Sequence, residues 1–76
     1  MPRILSNKEV GEILRTARSH RDMTQDEVAL ALRISRSSYA RLESGQRNLT
    51  RSEIQDVATF YHLPVSHLLN ARENQI

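Results

Sequence analysis

Apolar residues recur along this chain at spacings of three and four. Val10, Ile13, Leu14 and Ala17 fall at i, i+3, i+4 and i+7, which predicts a first amphipathic helix ending near Arg21. Val28, Ala29 and Leu32 predict a short second helix, and Tyr39 and Leu42 the inward face of a third. Ile54, Val57, Ala58 and Tyr61 line a fourth. Leu63-Pro64 breaks it, and Val65, Leu68 and Leu69 predict a short fifth helix before a polar tail. No segment alternates with the period of two that marks a strand. The expected fold is therefore all-α, a compact bundle of five short helices. Residues 1–5 read as an N-terminal arm, 6–70 as the single domain and 71–76 as the tail.

The polar positions agree with these helix starts. Ser6-Asn7-Lys8-Glu9, Thr24-Gln25-Asp26-Glu27 and Thr50-Arg51-Ser52-Glu53 all read as capping boxes. In each, a hydroxyl accepts from a free amide three residues on, while the glutamate reaches back to the cap's own amide. Ser35 offers a plainer cap for the third helix. Gly45 is placed to end that helix in a left-handed conformation.

Composition narrows the function. With 76 residues there is room for one modest core, and with no cysteine there is neither a disulfide framework nor a thiolate zinc site. No apolar stretch approaches membrane-spanning length and the start does not read as a secretory signal, so a cytoplasmic protein is expected. The net charge of +2 says little by itself, but its distribution is uneven. Arg33, Arg36, Arg41, Arg47 and Arg51 face a single acid, Glu43, within one segment, whereas the other acids gather before and after it. A basic segment in a nearly neutral chain is the footprint of a phosphate-binding face, although a solvated arginine-rich surface would look similar. Lys8 is the only lysine. Arginine is the better residue for forked contacts to phosphate and guanine.

Spacing carries the rest of the argument. A second helix of about eight residues, a three-residue connection (Arg33-Ile34-Ser35) and an immediate third helix must cross steeply. Ala29 supplies the small side chain that a close crossing needs, and Ile34 plugs the gap. The start of the third helix is then presented outward, where it can enter a major groove. It offers Arg36, Ser37 and Ser38 and, one turn on, Arg41.

These features, in this order, resemble the phage-repressor-like (Xre/Cro-type) helix-turn-helix proteins over residues 10–69. The resemblance rests on Ile13-Leu14-Arg15-Thr16-Ala17-Arg18, on Met23-Thr24-Gln25-Asp26-Glu27-Val28-Ala29, and on the run from Ile34 through Ser35-Arg36-Ser37-Ser38-Tyr39-Ala40-Arg41-Leu42-Glu43-Ser44 to Gly45. Leu63-Pro64-Val65-Ser66-His67-Leu68-Leu69 completes it. It implies a lambda-repressor-like DNA-binding domain in which Arg36, Ser37 and Arg41 read bases. Gln25, Ser35, Ser38, Arg47 and Asn48 are then expected at the DNA backbone, with Gln25 also bracing the recognition helix. Arg18 and Glu43 match a shielded ion pair tying the first helix to the end of the third. Three departures stand out. Arg33 occupies a turn position usually given to glycine, and Leu49 replaces a frequent proline, which should leave its loop less rigid. Tyr39 replaces an aliphatic residue, with its ring expected inside and its hydroxyl at the edge.

The implied partner is double-stranded DNA carrying an inverted repeat, bound by a homodimer. Its contact is expected at Val65, Leu68 or Leu69, partly exposed on the monomer. No cofactor is implied. His20, His62 and His67 lack the companions and spacing of a metal site, and no serine has a histidine–carboxylate pattern around it, so an enzyme is not expected. The rival class is an antitoxin or adaptor module whose main partner is a cognate protein.

Overall fold

The computed structural model describes residues 5–68. Four α-helices follow one another: α1 (Asn7–His20), α2 (Gln25–Leu32), α3 (Arg36–Glu43) and α4 (Arg51–Tyr61). All three expected capping boxes form. Ser6, Thr24 and Thr50 accept from the amides of Glu9, Glu27 and Glu53, whose carboxylates accept from the cap amides in return. Ser35 caps α3 by accepting from the amide of Ser38 at 3.1 Å.

The four described α-helices also stop by one device. Asp22, Arg33, Gly45 and His62 each take a positive φ of 54–81°. The next amide then donates back five residues, as in Ile34 N to Ala29 O (3.0 Å) and Gln46 N to Arg41 O (2.8 Å). This closure satisfies carbonyls that a helix end leaves open. Only one of the four uses glycine, so Asp22, Arg33 and His62 each carry roughly 1 kcal/mol of left-handed strain. Met23, Ile34 and Leu63, the residues just beyond, pack against the core and hold the chain in that conformation.

The core contains Val10, Leu14, Val28, Ala29, Tyr39, Leu42, Leu49, Ile54, Val57, Ala58, Tyr61 and Leu68. The expected stripes of α2, α3 and α4 are therefore the buried ones, apart from a half-buried Leu32. On α1, Ile13 and Ala17 are likewise only half-buried. Leu49 is buried at 2% exposure, so it pins the loop into α4 instead of loosening it.

Two expectations need correction. The fifth helix is not an α-helix: Val65–Leu68 is a single 3-10 turn, with His67 N donating to Pro64 O at 3.0 Å. Pro64 has no amide to offer, and four residues are too few to nucleate an α-helix, so the tighter i→i+3 closure wins. Leu68 is fully buried, not a partly exposed contact surface, while Val65 is 38% exposed. Leu69, residues 1–4 of the expected arm (1–5) and the whole expected tail (71–76) lie outside the described residues.

Candidate nucleic-acid interface

The three-residue turn sets α3 against α2, with Ala29 (2% exposed) at the crossing. On α3, Tyr39 and Leu42 face the core, which turns Arg36, Ser37 and Arg41 outward, all exposed. Ser35 and Asn48 are also exposed, and Ser38, Gln25 and Arg47 are half-buried. The sequence-expected readers thus share the solvent face of one helix. Arg36 alone among them meets a charged neighbour, with its Nε 3.6 Å from Asp26 Oδ1 of α2.

What holds α3 in place is a buried polar hub at its last residue. Glu43 is 6% exposed. Arg18 donates to it through Nε (2.7 Å) and Nη2 (3.1 Å), and through Nη1 to the carbonyl of Met23 (2.9 Å). Gln25 Nε2 donates to the same carboxylate at 3.0 Å. One carboxylate therefore joins α1, α2 and α3. Burial opposes its ionisation, but the hydrogen bonds from Arg18, Tyr39 and Gln25 outweigh burial and lower its pKa. The structure thus brings Arg18 and Glu43 together as a pair and places Gln25 on the same carboxylate.

Tyr39 departs from expectation. Its hydroxyl is not at the edge: the residue is fully buried, 2.6 Å from the Tyr61 hydroxyl of α4. Burial and that hydrogen bond push its pKa well above the ordinary phenol value.

Arg47 also sits differently from a free phosphate clamp. Its Nη1 and Nη2 donate to Glu53 Oε1 and Oε2 at 2.8 Å each. Its Nε donates to Ser38 Oγ at 3.0 Å, and Nη1 to the carbonyl of Asn48 at 3.0 Å. The guanidinium locks the loop between α3 and the capping box of α4. Glu53, paired with Arg47 and bonded to the amide of Thr50, is held down at about 2, against an ordinary 4.5.

This has a consequence in acid. Glu53 and Glu43 both bind protons more weakly folded than unfolded, so their stabilisation is complete above about pH 5 and is lost as pH falls below 4.5, for Glu53 down to about 2. Glu53 accounts for about 3 kcal/mol of this at most. Melting followed by circular dichroism should be steady above pH 5 and decline steeply below 4.5. Glu53→Gln should start lower at neutral pH and decline less; an unchanged acid limb would refute this pairing.

Gly11 is a residue that the apolar pattern did not single out. A side chain there would overlap the carbonyl oxygen of Glu43 and lie 2.7 Å from the Leu42 oxygen. The backbones of α1 and α3 touch at this point. An isolated glycine inside a helical pattern was the available signal.

Among the described residues, no group of three or more histidines and acids is placed to hold a metal ion. No described helix is long and apolar enough to cross a membrane.

Comparison with known proteins agrees with this geometry. A family model described as a helix-turn-helix domain matches residues 9–71. The cryptic phage CTXphi transcriptional repressor RstR of Vibrio cholerae is 29% identical over 63 residues. That match covers 83% of this chain, which spans 57% of the repressor's length. Among solved structures, the restriction-modification controller protein C.AhdI of Aeromonas hydrophila superposes with a TM-score of 0.74 at 27% identity, covering 83% of this chain and 96% of its own. The DNA-binding domain of BldD gives 0.70 at 28% identity, covering 83% and 92%.

Proposed function

The chain belongs to the helix-turn-helix domain family, and on that premise we propose that it is a sequence-specific, double-stranded-DNA-binding transcriptional regulator, a repressor working in the cytoplasm. The observation that carries this reading is the division of α3. Tyr39, Leu42 and Glu43 are buried, while Arg36, Ser37 and Arg41 stand exposed together behind a three-residue turn. Any surface helix exposes a polar face; what favours recognition is that this one carries two arginines directly behind a tight helix-turn-helix connection.

Arg36 and Arg41, five residues apart, project along distinct lines of the exposed face. Each offers a fork to the O6 and N7 of a guanine, and Ser37 makes a close or water-mediated contact. Ser35, Ser38 and Asn48 meet phosphates, as does the second amide hydrogen of Gln25. Arg47, spent largely on Glu53 and Ser38, acts as a brace for this backbone-contacting segment. One such readout specifies too few bases for a genome, so two copies bind an inverted repeat as a homodimer, at least on DNA. Val65 remains as the exposed part of the expected contact surface. Leu30 of α2 is 81% exposed, but a single exposed leucine is ordinary and does not mark a partner site.

The test is a titration of variants against a selected operator, its single-base variants and a random duplex. Arg36→Ala and Arg41→Ala should each relax preference at particular base pairs by about 1–3 kcal/mol. Asn48→Ala should weaken all duplexes alike. Unchanged base preferences in both arginine variants would show that α3 is not the reader. A chain that retains nothing on heparin and binds no duplex, yet captures a protein encoded next to it, would favour the adaptor class.

A further inference from the structure

Asp26 stands out as an acid at the margin of a basic face. It lies in the first turn of α2 and is exposed, its side chain 74% accessible. A carboxylate there repels incoming phosphates and so lowers affinity for every duplex. Its one described ion pair is to Arg36, the first residue of α3, through Nε. The preceding residue, Gln25, turns its amide inward to Glu43 and leaves Asp26 as the α2 side chain that meets this arginine.

We infer that Asp26 is a positioning residue for Arg36 and thereby sets the stringency of base recognition, an inference that rests on the reading of α3 as the recognition helix. The guanidinium is planar, and its Nε edge and its Nη edge point in different directions. Holding the Nε edge toward α2 leaves Nη1 and Nη2 as a free fork, the arrangement that matches O6 and N7 of guanine. Without the carboxylate, a side chain that is 66% exposed is free to turn to the nearest phosphate instead, a contact that carries no sequence information. Asp26 thus acts twice in the same direction. It penalises phosphate-only binding, and it keeps Arg36 in the conformation that is rewarded only opposite a guanine. The pair is solvent-exposed, so its effect on folding is small. That separates this role from a structural one.

The experiment compares Asp26→Asn, Asp26→Glu, Arg36→Ala and the Asp26→Asn/Arg36→Ala double variant in the full chain. Each is titrated with the selected operator, with the operator altered at the base pair that Arg36→Ala identifies, and with a random duplex. Asp26→Asn should bind the random duplex about two- to fivefold more tightly. Its preference at the Arg36 base pair should fall about three- to fivefold, with the other positions unchanged. Asp26→Glu should restore the preference. In the Arg36→Ala background, Asp26→Asn should leave base preference where it was while still tightening the random duplex. Melting temperatures should stay within a few degrees throughout. If Arg36→Ala loses its base preference but Asp26→Asn keeps it, Asp26 has no positioning role and the reading of α3 stands. An equal loss of preference from Asp26→Asn in both backgrounds overturns it as well. If Arg36→Ala itself changes no preference, Arg36 is not a reader and this inference falls, while the reading of α3 then stands or falls with Arg41→Ala.

Discussion

Glu43→Ala should lower the unfolding free energy by about 3–5 kcal/mol, because it removes a carboxylate that is nearly enclosed and leaves its partners behind. Arg18 would keep its charge with only the Met23 carbonyl to receive it, and Gln25 would lose its acceptor. A domain of 76 residues has roughly 4–11 kcal/mol of stability in all, so much of the variant would be unfolded near its working temperature. Arg18→Ala should cost less, since its side chain is 19% exposed against 5% for Glu43. The double variant should lose less than the sum, because the second deletion removes a group that the first had stranded. Denaturant titrations of the four proteins measure this coupling. Strict additivity, or losses below about 0.5 kcal/mol, would reduce the pair to ordinary surface charges.

Gly11→Ala should destabilise the domain by about 2–4 kcal/mol, although alanine is the better helix former by roughly 1 kcal/mol. The added methyl would meet main-chain atoms of Leu42 and Glu43, which have no alternative rotamer to retreat into. Relief requires α1 to move away from the end of α3, and that movement stretches the Arg18–Glu43 bonds as well. The two predictions are therefore coupled. In a Glu43→Ala background the alanine at position 11 should cost less, since there is less left to strain. Thermal melts should show a fall of roughly 10–20 °C for the single variant. A rise would mean that the helix-propensity gain wins and that the backbones are not in contact.

Much of this fold was legible in the residues themselves because the controlling signals are local. Capping boxes at Ser6, Thr24 and Thr50 act within four positions, and the apolar stripes of α2 to α4 repeat within each helix. Glu43 and Arg18 could be paired only through the family resemblance, since 25 residues separate them. The misplacements have a common origin in contacts made between helices. Nothing local tells that the Tyr39 hydroxyl will find that of Tyr61, 22 residues on, and so go inside. Likewise, nothing in the basic run around Arg47 shows that Glu53 will take up its fork. The acid that pairs with this cation lies in the next helix, out of reach of any local pattern. The absence of a fifth α-helix has a local reason: Pro64 and a buried Leu68 leave only one turn between them.

On the proposed reading, recognition and folding fall on opposite sides of a single eight-residue helix. The inward side, with Tyr39, Leu42 and Glu43, is committed to α1, α2 and α4, and Gly11 fixes its end by direct backbone contact. Arg36, Ser37 and Arg41 add little to that holding, since the Arg36–Asp26 pair is solvent-exposed. Exposed positions of this kind usually tolerate exchange within about 0.5 kcal/mol. The reading surface is in effect a replaceable typeface on a fixed carriage. If α3 is the reader, two or three substitutions on that side should give a new operator at an unchanged melting temperature, whereas changes at positions 11, 18 or 43 should weaken binding to every operator through the fold.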